Sequence, residues 1–146
     1  MMDTAGELIE RLGLTRHPEG GWYRETWRAS APDGERASAT LIHFLLETGE
    51  RSHWHRVDAT EIWLWHAGNP LTLAVSENGS RIVDMTTLGP DLMAGQAAHH
   101  VISPGDWQAA EPLAGPYDHT LVSCVVSPGF EFSGFTLAPP GWRPDA

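Results

Sequence analysis

The chain has 146 residues, 41% of them hydrophobic and 19% charged, with a formal net charge of −10. That length suits one domain with a proper core, and so acidic a chain, whose basic side chains are nine arginines and no lysine, is a poor partner for nucleic acid or an anionic membrane. Fifteen Gly and eleven Pro imply frequent turns and short elements, the habit of an all-β domain, and no apolar run approaches the ~18 residues of a membrane-crossing helix.

Taken in order, Asp3 or Thr4 can cap a short helix, with Glu7 in capping-box spacing after Thr4. Leu8, Ile9 and Leu12 give that helix an apolar stripe and Gly13 ends it. The N-terminal stretch is expected to be neither a signal nor a transit peptide. His17-Pro-Glu-Gly-Gly21 reads as a turn, residues 22–28 as a strand, 29–36 as a loop and 38–46 as a β run. Residues 61–66 form the next strand, with Glu61, Trp63 and Trp65 on one face and Ile62, Leu64 and His66 on the other. Residues 71–76 and 81–88 are joined through Asn78-Gly79, which supplies the positive φ of a tight hairpin turn. Strands are also expected over 97–102, 107–110, 120–126 and 130–137. About nine or ten short strands with regular turns point to a sandwich or barrel.

Gly49-Glu-Arg-Ser-His53-Trp-His55, followed by Glu61 and Gly68, carries the most chemistry. Side chains alternate along a strand, so His53 and His55 are expected on the same side. Two imidazoles and a carboxylate would suit a divalent metal, Zn, Fe, Mn or Ni, with open coordination positions. The single Cys124 lies in an apolar run and cannot form an internal disulfide; it is expected to be buried and inert, in a reducing, cytoplasmic setting. Asp118-His119 is not expected to cooperate, because neighbours on a strand face apart, and His99-His100 reads as a solvated pair. A serine nucleophile elbow, a phosphate loop and a dinucleotide fingerprint are all missing from the sequence.

These motifs resemble those of the cupin superfamily, whose first motif runs Gly-x5-His-x-His-x3–4-Glu-x6-Gly. Gly49 lies two residues closer to His53 than that pattern has it, five residues rather than four separate His55 from Glu61, and the six between Glu61 and Gly68 fit. In the second motif, Pro-x-Gly-x2-His-x3-Asn, Gly105 is kept, while Ser103, Gln108 and Pro112 replace the Pro, His and Asn. Along nearly its whole length the chain resembles the cupin-5 (DUF985) group, through His17-Pro-Glu-Gly-Gly-Trp-Tyr-Arg-Glu-Thr-Trp27, Trp54-His-Arg-Val-Asp58, Glu61-Ile-Trp63, Leu88-Gly-Pro-Asp-Leu92, Trp107-Gln-Ala-Ala110 and Val122-Ser-Cys-Val-Val-Ser-Pro-Gly-Phe130. The resemblance implies an all-β double-stranded β-helix, or jelly-roll barrel, with a short N-terminal helix. It implies a single domain over 1–146 (helix 1–13, barrel 21–137, tail 138–146), often a homodimer, and a loose association with sugar epimerases.

Within such a barrel His55 and Glu61 are the first candidates for acid–base or ligand roles, with Tyr23 as a phenolic acid and Arg24 as a holder of an anionic group. Trp63 and Trp65 would wall the pocket, and Gln108 would orient a ligand or join His53, His55 and Glu61 at a metal. Three functions are open: binding and isomerising or epimerising a small carbohydrate-like substrate, metal-dependent oxygenase, lyase or isomerase chemistry, and non-catalytic binding of a small molecule. Neither nucleic acid nor membrane is expected as a partner.

Overall fold

The computed structural model describes residues 3–144. Helix α1 (Ala5–Leu12) begins where the Thr4 hydroxyl accepts from the Glu7 amide at 3.2 Å while the Glu7 carboxylate accepts from the Thr4 amide at 3.1 Å. It stops at Gly13, whose φ of +67° lets its amide turn back onto the last carbonyls. Ala5, Leu8, Ile9 and Leu12 pack with Leu14, Trp22, Leu45 and Leu121, so the helix covers part of a sheet's outer face.

Eleven strands follow: β1 (Thr15–Arg16), β2 (Trp22–Arg28), β3 (Thr40–Glu47), β4 (Ser52–Val57), β5 (Thr60–Gly68), β6 (Leu71–Ser76), β7 (Asp84–Leu88), β8 (His99–Ile102), β9 (Trp107–Pro112), β10 (His119–Ser127) and β11 (Phe135–Leu137). They form two antiparallel sheets, ordered β1-β2-β3-β10-β5-β8 and β11-β4-β9-β6-β7. The sandwich or barrel expected from the strand spacing, and the jelly roll implied by the resemblance, are therefore present. Alternation along each strand sends Phe44, Leu46, Trp63, Leu71, Leu73, Val122 and Cys124 into one core between the sheets. Full burial of a large apolar side chain there contributes about 1.5–3 kcal/mol. No helix among the described residues is long and apolar enough to cross a membrane.

Three local expectations need correction. The β6–β7 hairpin turns at Asn78-Gly79, but pairing resumes only at Val75↔Asp84, so β7 starts three residues later than expected. Ser76 and Asn78 side chains accept from the Gly79 and Ser80 amides and hold a wider loop. Residues 130–137 are not one strand, because a 3₁₀ turn at Phe132–Gly134 precedes β11. Asp118 and His119 do cooperate: Asp118 lies just before β10, and its Oδ1 accepts from His119 Nδ1 at 2.8 Å and from the Ala5 amide at 2.9 Å. That carboxylate ties the first turn of α1 to the sheet.

Candidate active site

The site starts in the segment between β1 and β2. Gly20 and Gly21 have φ of +108° and +82°, a region L-residues rarely enter. A side chain on Gly21 would come within 2.9 Å of the Leu45 carbonyl, Leu46 and Phe44, and one on Gly20 would collide with the Arg51 carbonyl. Two bare backbones thus let the loop press against β3 and the approach to β4. The His53 amide donates to the Glu19 carbonyl at 2.8 Å, stitching the loop to β4. His17 and Glu19 are consequently driven inward and buried.

Each polar group has a defined partner. The Glu19 amide donates to His17 Nδ1 at 3.1 Å, which leaves the proton of a neutral His17 on Nε2. Burial, with His55 nearby, lowers the His17 pKa to about 3, so the ring is neutral. Ser52 Oγ donates to Glu19 Oε2. Glu19 Oε1 lies 3.4 Å from His17 Nδ1 and 3.5 Å from His55 Nε2. Burial raises the Glu19 pKa to about 8 against the opposing pull of Ser52, so at neutral pH the group is mostly a carboxylic acid. These approaches are then contacts between neutral groups rather than ion pairs.

His55 Nδ1 donates to the His53 carbonyl at 2.7 Å, leaving Nε2 as a bare lone pair toward Glu19. Its pKa is lowered, chiefly by burial. On β5, Glu61 Oε1 accepts from Gln108 Nε2 at 3.0 Å, while Gln108 Oε1 accepts from Trp63 Nε1 at 2.7 Å. Burial lifts Glu61 to about 7; His55 opposes this, and the neighbouring Glu19 charge adds to it. Two carboxyl groups that titrate near neutrality and repel when both ionised favour a state with one protonated and one ionised. The Cys124 thiol, raised by burial and held against Glu61, stays protonated.

A cavity of about 570 Å³ opens on this cluster. His17, Glu19 and Glu61 lie at its buried end, Tyr23, Thr40 and Ile42 line its walls, and Glu25, Arg28, Glu131 and Phe132 form its exposed rim. Tyr23 meets the His17 ring edge-on at 4.5 Å.

The positions expected from sequence separate into two groups. Glu61 and Tyr23 reach the cavity wall. His55 is fully buried behind Glu19 and is not part of the wall. Gln108 and Trp63 are the support beneath Glu61, and Trp63 packs edge-to-face on Phe44 in the core. Trp65 packs on the same core and donates to the Asn69 carbonyl. The expectation of a tryptophan wall is therefore corrected: the cavity's aromatic groups are Tyr23, Phe130 and Phe132. Arg24 points to the opposite face of β2, where Nη1 reaches the Leu12 carbonyl at the end of α1. His53 also turns away. A bulge in β4 between Ser52 and His55 breaks the alternation that would have put His53 beside His55. His53 Nε2 instead donates to the Pro139 carbonyl at 3.0 Å and borders a separate groove with Trp54 and Trp142.

The donor set imagined for a metal thus does not converge. His53 lies outside, the Gln108 oxygen is taken by Trp63, and the His17 Nδ1 lone pair by an amide. Among the described residues no group of three or more His, Cys, Asp or Glu side chains is arranged to hold a metal ion. No short-range pattern of chemistry-bearing residues singles out His17, Glu19, Ser52 or Arg28 as site residues. The signal that could have found the first two is the paired glycine after His17-Pro-Glu, a backbone demand that a simple surface turn does not make.

Residues 6–138 match the family described as Cupin superfamily (DUF985), and the chain belongs to that family. Its structure is similar to that of a Shewanella oneidensis protein, with 38% identity, a TM-score of 0.87, and 94% of this chain and 85% of that one covered. A hypothetical protein from Leishmania major is 31% identical, with a TM-score of 0.84 and coverage of 96% and 90%. Oxalate decarboxylase from Bacillus subtilis shares the fold at 14% identity and a TM-score of 0.62, over 84% of this chain and 29% of that one. No curated protein matches the sequence.

Proposed function

We propose that the barrel binds a small polar, carbohydrate-like molecule and moves a proton on it. The observation that carries this reading is the pair of carboxyl groups, Glu19 and Glu61, with pKa values of about 8 and about 7 at the buried end of one cavity. Groups poised near the working pH are what general acid–base catalysis needs. Glu61, as the carboxylate, takes a proton from a carbon next to a carbonyl, and Glu19 gives its proton to the carbonyl oxygen, yielding an enol. Glu19 then recovers its proton from the enol oxygen. Return of a proton from Glu61 to the same carbon regenerates the substrate; its return to the former carbonyl carbon, with Glu19 taking its proton from the neighbouring enediol hydroxyl instead, isomerises it. Return from the Tyr23 phenol epimerises it, and Glu61 passes its proton to the resulting phenolate. His55 is a positioning residue: its Nε2 stands 3.5 Å behind Glu19 Oε1, and the His53 carbonyl fixes its tautomer. No step through a metal is assigned, because the donor set does not fit one.

Incubation with a panel of aldoses, ketoses and small keto acids in D₂O tests the reading. Deuterium is expected at the carbon beside the carbonyl of at least one compound, and incorporation is expected to vanish in folded Glu19→Gln and Glu61→Gln variants. Saturable binding without exchange would favour a non-catalytic binding barrel; neither binding nor exchange would overturn both.

The reading includes a homodimer in the cytoplasm. It is supported by an apolar row, Trp27, Leu41, Val125, Ile62 and Val101, paired in register across five strands on the outer face of the larger sheet. Trp27 and Val101 are each more than half exposed, and a two-fold dimer would bury this row against its own copy. Sedimentation of Trp27→Glu against the native chain checks it, with the variant expected as monomer. The reduced, buried Cys124 suits the cytoplasm.

A further inference from the structure

The charges around the cavity mouth say which ligands it accepts. Four carboxyl side chains, Glu19, Glu25, Glu61 and Glu131, stand on the wall against one guanidinium, Arg28. That guanidinium is already engaged. Its Nε and Nη2 fork onto the Glu25 carboxylate at 3.1 and 2.7 Å, and Nη2 also donates to the Phe130 carbonyl at 2.9 Å. Arg36, the neighbouring cation, is bidentate on Asp58 at 3.1 and 2.7 Å and donates to the Gly129 carbonyl at 2.7 Å. Its Nε lies 3.5 Å from Glu131. A phosphate or carboxylate usually meets an open arginine fork, and both forks here are closed on the protein's own acids.

The interior gives an anion no better reception. Its ionisable groups are two carboxyls and a neutral His17, so a buried negative charge would be desolvated with no cation to pair with and would be repelled by whichever carboxyl is ionised. For an uncharged hydroxyl or carbonyl the same groups are suitable partners: His17 offers an Nε2–H, a protonated carboxyl both donates and accepts, and Tyr23 and Thr40 add hydroxyls. Phe130 and Phe132, edge-to-face at 4.9 Å, provide an apolar side against which the C–H face of a ring can lie. The wall is therefore polar but without an available cation, and apolar along one side.

We propose that the cavity selects an uncharged, hydroxyl- and carbonyl-bearing ligand and rejects its phosphorylated or carboxylated counterpart, so that sugar phosphates and nucleotide sugars are not its substrates. The inference rests on the reading that this cavity is the substrate site, and two measurements separate the fates of the two claims. In the first, nitroxides of one size bearing a hydroxyl, a carboxylate or an ammonium group are added to isotope-labelled protein, and paramagnetic relaxation is read at His17, Tyr23 and Phe132. The carboxylate nitroxide is expected to relax these groups several-fold less than the hydroxyl one. The Glu25→Gln/Glu131→Gln double variant, altered only at the exposed rim, is expected to shrink that gap. Equal or stronger relaxation by the carboxylate nitroxide would overturn the proposal whether or not any sugar binds.

In the second, free hexoses and their 6-phosphates are titrated as matched pairs. The free sugar is expected to bind about ten-fold more tightly or better. Tighter binding of the phosphate at these residues would overturn the selectivity while leaving the cavity as the site. If neither member of any pair binds, the carbohydrate reading falls, and the nitroxide comparison still decides the charge preference.

Discussion

The loop at residues 17–21 and strand β4 meet along one rim of the barrel, joined by the bond from the His53 amide to the Glu19 carbonyl. Their contributions differ. The loop sends two side chains, His17 and Glu19, to the cavity surface, whereas β4 supplies Ser52 and His55, which stand behind Glu19 and hold it. The strand offers rigidity and a fixed tautomer; the loop offers the group that can touch a ligand. A buried loop is tolerable only because its backbone is satisfied, with the His17 amide bonded to the Gly21 carbonyl and the Gly20 amide to the His17 carbonyl. Between these two elements the proton donor sits on the loop and the regular strand supports it, while the proton acceptor Glu61 stands on β5.

The largest test of this division is chemical. Glu19→Gln is expected to lower deuterium exchange by about 10²–10⁴-fold. His55→Asn is expected to cost less, because the imidazole stands behind Glu19 and does not reach the cavity. Equal losses would erase the distinction between reacting and supporting residue. Next comes the loop itself. Gly21→Ala places a side chain against Leu45, Leu46 and Phe44 at a positive φ, at a cost of about 1–3 kcal/mol, read as a lower midpoint of thermal unfolding.

Stability against pH sharpens the comparison further. Glu19 and Glu61 bind protons more tightly when folded, at about 8 and about 7 against an ordinary value of 4.5. Their stabilisation is complete below that ordinary value and is lost as pH rises through 7 and 8. His17 has the opposite sign: its folded pKa of about 3 lies below the ordinary 6.5, so its contribution grows as pH rises between the two. Between 4.5 and 6.5 the lowered His55 adds to His17, so two imidazoles oppose two carboxyls, and above 6.5 only the carboxyls remain. Thermal midpoints should hold roughly level over the first window and fall from 6.5 to 8, with a shallower fall in Glu19→Gln. A rise over that upper window would contradict the buried carboxyl pair. The smallest effect is expected at His53→Ala, which removes only the bond to the Pro139 carbonyl: about 0.5–1.5 kcal/mol, with exchange activity unchanged.

Much of the architecture follows from short-range physics. The Thr4–Glu7 capping box, the Gly13 stop, the alternation along β3, β5 and β10, and the turn at Asn78-Gly79 each depend on residues within a few positions of one another. Glu61 and Trp63 share an inward face for the same reason. The site depended on partners far apart in the chain. A bulge set by β4 pairing with β9 reversed His53; Arg24, on the face of β2 opposite Tyr23, met the Leu12 carbonyl at the end of α1; Asp118 folded back onto His119 and α1. The fit of two glycines against β3 and the Arg51 carbonyl turned an ordinary-looking Pro-Gly turn into the acid end of a cavity. Residue order alone determined most of the strands and the inward faces of the regular ones. Which side chains meet at the cavity was decided by register between strands and by loop docking, because both are fixed by contacts that no local pattern encodes.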